Sequence, residues 1–134
     1  MPIDFRIDSD RRVVFAAGRG TVTPEEVFDY QRQVWSRADV AGYNELFDMS
    51  AAERIIPPSR GSVRDLASSA ALMDPPDFMS KFAIVAPQDL AFGIGRMFES
   101  YRELDERSTK QVAVFRSMQP ALAWLGIDSP PVKA

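Results

Sequence analysis

Only carboxylates, hydroxyls, lysines and arginines remain as reactive side chains in this chain, because none of its 134 residues is a histidine or a cysteine. That excludes a Ser–His–Asp triad and a cysteine nucleophile. It also excludes zinc, iron–sulfur and haem sites built on His or Cys. Asp48 closes an apolar segment, with Glu53 and Arg54 shortly after it. The carboxyl end of a parallel strand is where α/β proteins place ligands. An aspartate there is equally suited to accept hydrogen bonds from loop amides. No spacing singles out a pair of carboxylates for acid–base work. A protein that is not an enzyme is therefore expected, with no metal and no cofactor; an enzyme using carboxylates is the third reading.

The run Ser59-Arg60-Gly61-Ser62 comes after Pro57-Pro58 and opens a helical pattern. A helix N-terminus offers unpaired N–H groups and partial positive charge, so it can hold an anion, and Arg60 and Arg64 would reinforce it. The same residues serve as an ordinary N-cap, with Ser62 and Asp65 as a pair resembling a capping box. Gly93-Ile94-Gly95 is no nucleotide loop, since it lies inside a helical pattern and lacks the further fingerprint glycine. The glycines instead suit close packing on a sheet or a partner helix, or a hinge. Phe92 falls off the apolar stripe of its helix, and Phe78 flanks a Pro-rich turn. With Asp48 and Met97 they form the candidate surface for a partner or an apolar ligand.

Periodicity gives the strands and helices that carry these residues. Ile3, Phe5 and Ile7 alternate, and a short polar turn leads into Arg12–Gly18, so an antiparallel hairpin is expected. Gly18 to Val22 reads as a flexible exit. Thr23-Pro24-Glu25-Glu26 carries a cap, a proline suited to the first turn and a capping box. The helix runs to about Ser36, with Val27, Gln31 and Val34 in line and Phe28 and Trp35 flanking. Tyr43–Met49 is the third strand and 50–58 a loop. A second helix ends near Met73. Lys81–Ala86 reads as a strand whose continuous apolar run, Phe82-Ala83-Ile84-Val85, marks burial on both faces. Leu90, Ile94, Met97, Phe98, Tyr101 and Leu104 recur at helical spacing. Gln111–Arg116 is the last strand. A short helix ends at Gly126, with Trp124 expected to be at least half buried, capping the last strand against the third helix.

The order β-β-α-β-α-β-α-β-α implies an α/β fold with a mostly parallel five-stranded sheet. One domain is expected over 1–127, with a flexible tail at 128–134. The net charge of −3 and the scattered basic residues argue against nucleic acid. No apolar run approaches the roughly 18 residues of a membrane span. The first residues carry no apolar signal region, so a cytoplasmic location is expected.

Three segments give the chain a resemblance to the STAS superfamily, and within it to the SpoIIAA-like single-domain proteins. They are Glu45-Leu46-Phe47-Asp48-Met49-Ser50, Ala83 to Gly93, and Val114 to Gly126, whose Ser117-Met118-Gln119-Pro120-Ala121-Leu122-Ala123-Trp124-Leu125-Gly126 is the most specific. The resemblance implies a SpoIIAA-like β-α superhelix, with neighbouring strands in chain order and helices mainly on one face. It also implies a regulatory module related to anti-sigma-factor antagonists, with a protein partner and a possible homodimer. In the antagonists a serine is phosphorylated at the start of the second helix, and Ser59 is its nearest counterpart. Here the acidic residue before that serine is absent, and Arg60 stands before Gly61. The alternative function is a module binding a small apolar molecule or lipid in a pocket lined by Phe92, Met97 and Phe98.

Overall fold

The computed structural model describes residues 3–129. Most of the expected tail, from residue 130 on, lies outside the described residues. Five strands, β1 (Ile3–Asp8), β2 (Val13–Val22), β3 (Asn44–Ile55), β4 (Ser80–Val85) and β5 (Lys110–Phe115), form one sheet in chain order. β1 and β2 pair antiparallel and every later pair is parallel. The hairpin is forced by the four residues between β1 and β2, whereas each later crossover carries a helix long enough to return the chain. Arg12 takes the left-handed conformation at the end of that turn (φ 56°).

Alternation along the strands divides the core in two. Val14, Ala16, Phe47, Phe82 and Val112 face helices α1 (Pro24–Tyr30), α2 (Arg60–Met73) and α3 (Asp89–Leu104). Val13, Phe15, Leu46, Ala83 and Val85 face α4 (Met118–Leu125) on the other side. From Phe82 to Val85, β4 is continuously apolar because both its faces are covered. Three helices on one face and one on the other is the asymmetry expected.

Several boundaries depart from the sequence reading. The segments read as a flexible exit (18–22) and a loop (50–58) are instead largely extended strands. Arg19 pairs with Ala51, Gly20 with Ala52, Thr21 with Arg54 and Val22 with Ile55. Each stretch supplies the other's missing ladder partners, a non-local effect that neither carries alone. Gly20, at φ 58°, accommodates the register shift beside it.

The first helix does not run unbroken to Ser36 either. After Tyr30 it widens into a π-helical segment, Gln31–Trp35. On α3 the buried line is Ala91, Gly95, Phe98 and Arg102, while Leu90 and Leu104, read as part of the apolar stripe, are 47% and 81% exposed. Trp124 is partly buried, but against Phe115 (centroids 5.7 Å) and under the Lys81 ammonium, not against α3. α4 lies on the opposite side of the sheet from α3, so the expected contact is replaced by these two.

Candidate functional site

Between the sheet and α1–α3 lies a recess of about 130 Å³. Its floor is aromatic: Tyr30, Trp35, Phe47, Phe82 and Phe98 line it. The rings meet edge to face, Tyr30 on Phe47 at 5.3 Å, Trp35 on Phe82 at 5.7 Å and Phe82 on Phe98 at 5.9 Å, a favoured arrangement for aromatic quadrupoles. Val22, Met49 and Ile55 enter from the extended β2–β3 pair, and Val63, Leu66, Ala91 and Ile94 from α2 and α3. Phe28, Ile56 and Pro58 are partly exposed at its rim. The capping box that starts α1, with Thr23 N–H donating to Glu26 Oε1 at 3.2 Å and Glu26 N–H to Thr23 Oγ1 at 3.3 Å, fixes one wall.

Behind the aromatic floor stands a buried carboxylate. Glu45 is 1% exposed. It takes a hydrogen bond from Tyr30 Oη on one oxygen (2.6 Å) and from Trp35 Nε1 on the other (2.7 Å). Burial pushes its pKa above the usual carboxylate range, against the pull of Lys110 and the two hydrogen bonds. Burial, and then the Glu45 charge, raise the Tyr30 hydroxyl well above an ordinary tyrosine. Burial lowers Lys110, with Glu45 and Asp74 opposing it. Glu45, Lys110, Trp35, Tyr43 and Asp74 border a second, more polar cavity of about 290 Å³. Lys110 Nζ donates to the Tyr43 carbonyl there (3.0 Å).

Asp74 anchors that end of the molecule. One of its oxygens accepts from Arg102 Nη2 at 2.5 Å and from the backbone N–H of Thr109 at 2.8 Å. Both side chains of this ion pair are almost completely buried. Arg102 Nε also donates to Ser108 Oγ, and its guanidinium lies 5.6 Å from the Phe98 ring centroid.

The residues singled out from sequence do not gather into one site. Asp48 accepts from the Ser50 N–H (2.9 Å) and hydroxyl (2.6 Å), as a turn-forming aspartate does. Ser59 is exposed and caps α2, its Oγ accepting from Ser62 N–H at 3.0 Å. Ser62 therefore pairs with Ser59, not with Asp65, and the capping box read there is replaced by a serine pair with the hydroxyls 3.0 Å apart. Gly61 is partly buried behind that cap, and Arg60 and Arg64 are exposed. Of this run only Ser62 reaches the apolar recess.

Phe78 is about half exposed, its ring base set against Gly42. Phe92 lies under the Arg116 guanidinium at 4.0 Å, which accounts for an aromatic off the stripe. Met97 packs on the core beside the recess. Of the trio expected around a pocket, Phe98 lines it, and Phe92 and Met97 do not. Gly95 meets Val114 of β5, where a Cβ would lie 3.1 Å from a methyl, so it is the close-approach glycine; Gly93 has open space.

Sequence reasoning missed Glu45, Tyr30, Trp35 and Lys110. The signal for Glu45 was present: it shares a strand face with Phe47 and Met49, a core-facing position for an acid.

Fold and site together define an α/β domain with an apolar recess under three helices. A solved structure with this fold is an uncharacterized protein of the DUF3478 family from Shewanella loihica PV-4, described as having a SpoIIAA-like fold. The likeness covers 92% of this chain and 93% of that one, at a TM-score of 0.56 and 14% sequence identity. No protein-family model matches the chain, and the search of curated proteins gives no match. Among the described residues no helix is long and apolar enough to cross a membrane, and no three acidic side chains are grouped as a metal site would need.

Proposed function

We propose that this chain binds a small apolar molecule in the recess between the sheet and α1–α3. The observation that carries the reading is a recess of about 130 Å³ whose walls are almost wholly hydrocarbon and aromatic. Cores are normally packed to crystal-like density. Apolar walls left without packing partners forfeit dispersion contacts. An apolar occupant would recover those contacts. A cavity of roughly 150 Å³ lined by aliphatic and aromatic side chains binds benzene, so the buried part of the ligand is about one ring or a short alkyl segment. Partial exposure of Phe28, Ile56 and Pro58 gives it a way in. Protein isolated without detergent and extracted into organic solvent should release an apolar compound visible by mass spectrometry. A clean extract, together with no uptake of added apolar compound, would count against the reading.

The second reading is a regulatory module with a protein partner, as in the antagonists the chain resembles. It draws support from Ser59, which stands exposed at the start of α2 with Arg60 and Arg64 nearby in the chain. A phosphate there would meet the positive end of the helix and two guanidinium groups. Ser59→Asp and Ser59→Ala proteins with different partner retention in pull-downs from the native host would favour it. Identical retention would leave Ser59 as a cap.

A further inference from the structure

The aromatic floor has two polar atoms, and both are turned away from the recess. Tyr30 and Trp35 line the apolar space, yet Tyr30 Oη and Trp35 Nε1 donate backwards to the two oxygens of Glu45, at 2.6 and 2.7 Å. Glu45 borders the polar cavity and does not line the apolar one; Trp35 is the wall between them. The backbone is shaped to the same end. Trp35 closes the π-helical segment Gln31–Trp35, which begins directly after Tyr30. A π turn adds a residue to the helical turn and so shifts the phase of the residues beyond it, and such insertions recur at functional sites. Gln31 ties the segment to α2 by donating to the Leu66 carbonyl at 3.1 Å.

A buried acid that neither touches ligand space nor completes an ion pair at contact distance is costly to retain. Its contacts give it one task. We infer that Glu45 is the positioning residue of the recess: it holds Tyr30 and Trp35 with their donors withdrawn, so that the site accepts hydrocarbon and rejects ligands whose buried end carries a hydroxyl or amine. The inference rests on the reading of the recess as a ligand site and adds the group that sets its selectivity. Tyr30 and Trp35 present only ring carbon to the occupant, so a polar ligand atom arriving there finds no partner and loses its hydration.

The test uses toluene and phenol, which differ by a methyl against a hydroxyl in nearly the same volume. Wild-type protein should bind toluene at least tenfold more tightly than phenol. Glu45→Leu frees the tyrosine hydroxyl and the indole N–H to meet the ligand, and the ratio should shrink at least fivefold. Glu45→Gln keeps an acceptor for Trp35 and a donor for Tyr30, and should restore the preference. An unchanged ratio in Glu45→Leu overturns the inference.

A second readout needs no ligand. The Trp35 indole N–H, assigned by its persistence in Trp124→Phe, should be shifted downfield and slow to exchange in wild type and Glu45→Gln, and lose both properties in Glu45→Leu. Should Glu45→Leu fail to fold, the wild-type resonance decides alone, a free-indole position with fast exchange overturning the inference. If wild type binds neither compound while its indole N–H is downfield and protected, the ligand reading falls and the positioning of Trp35 by Glu45 stands.

Discussion

Glu45 concentrates the electrostatic tension of this molecule in one side chain. Burial raises its pKa above the ordinary value that the unfolded chain restores. Below the unfolded value the carboxyl is protonated in both states and contributes no pH dependence. As pH rises between the two values the unfolded chain loses the proton first, so the native state holds more protons and stability falls. Above the folded value the loss is complete and constant. Glu45→Gln removes the titration. Its stability relative to wild type should therefore improve as pH rises through that interval and level off above it. Urea unfolding between roughly pH 4 and pH 8 checks this, and a difference that stays constant throughout would show that the buried carboxyl is not shifted upward. The residue was legible in the sequence as an acid two positions before Phe47 on a core-facing strand. Its partners were not, because an unbroken α-helical phase puts Trp35 at the flank of α1, and only the π segment carries it round to the recess.

Among the elements, α3 carries two glycines with opposite roles. Gly95 lies against β5, with Val114 methyls 3.1 and 3.2 Å from where a Cβ would be. Gly93 faces open space on the exposed side. Gly93→Ala should stabilise the protein by about 0.5–1 kcal/mol through helix propensity. Gly95→Val should destabilise it by about 1–3 kcal/mol, since the branched side chain would be forced into a packed contact. Thermal melts of the two variants separate the roles; equal shifts would mean that α3 does not rest on β5 through Gly95. The turn between α2 and β4 is tied to the end of α3 by Asp74 and Arg102. Asp74→Ala leaves the guanidinium buried without its partner and should cost about 3–5 kcal/mol in denaturant unfolding; a loss below about 1 kcal/mol would mean that water reaches Arg102. The hairpin, the capped start of α1 and the Ser59 start of α2 were legible because their signals are local. The long β2–β3 pairing was not, since 18–22 and 50–55 show their strand character only against each other. That pairing supplies Val22 and Ile55 to the recess, so the site was hidden with it.

Across the whole molecule, a sheet in simple chain order with three helices on one face leaves an apolar gap where α1, α2 and α3 meet over β3 and β4. The aromatic residues fill the bottom of that gap and leave its top open. Trp124 and α4 close the other face with ordinary packing, so the two sides of the sheet differ in what they can hold. Along β3 the alternation places Phe47 on the recess side and Leu46 on the α4 side. Whether the recess takes an apolar ligand is decided by calorimetric titration with toluene, wild type set beside Ala91→Phe. Ala91 is buried and lines the recess from the first turn of α3, so a phenyl group there fills the space. Wild type should bind one toluene with a Kd of roughly 0.1–1 mM, about −4 to −5.5 kcal/mol, while Ala91→Phe should remain folded and bind at least tenfold more weakly. No saturable binding by wild type, or equal binding by a folded Ala91→Phe protein, would overturn the ligand reading.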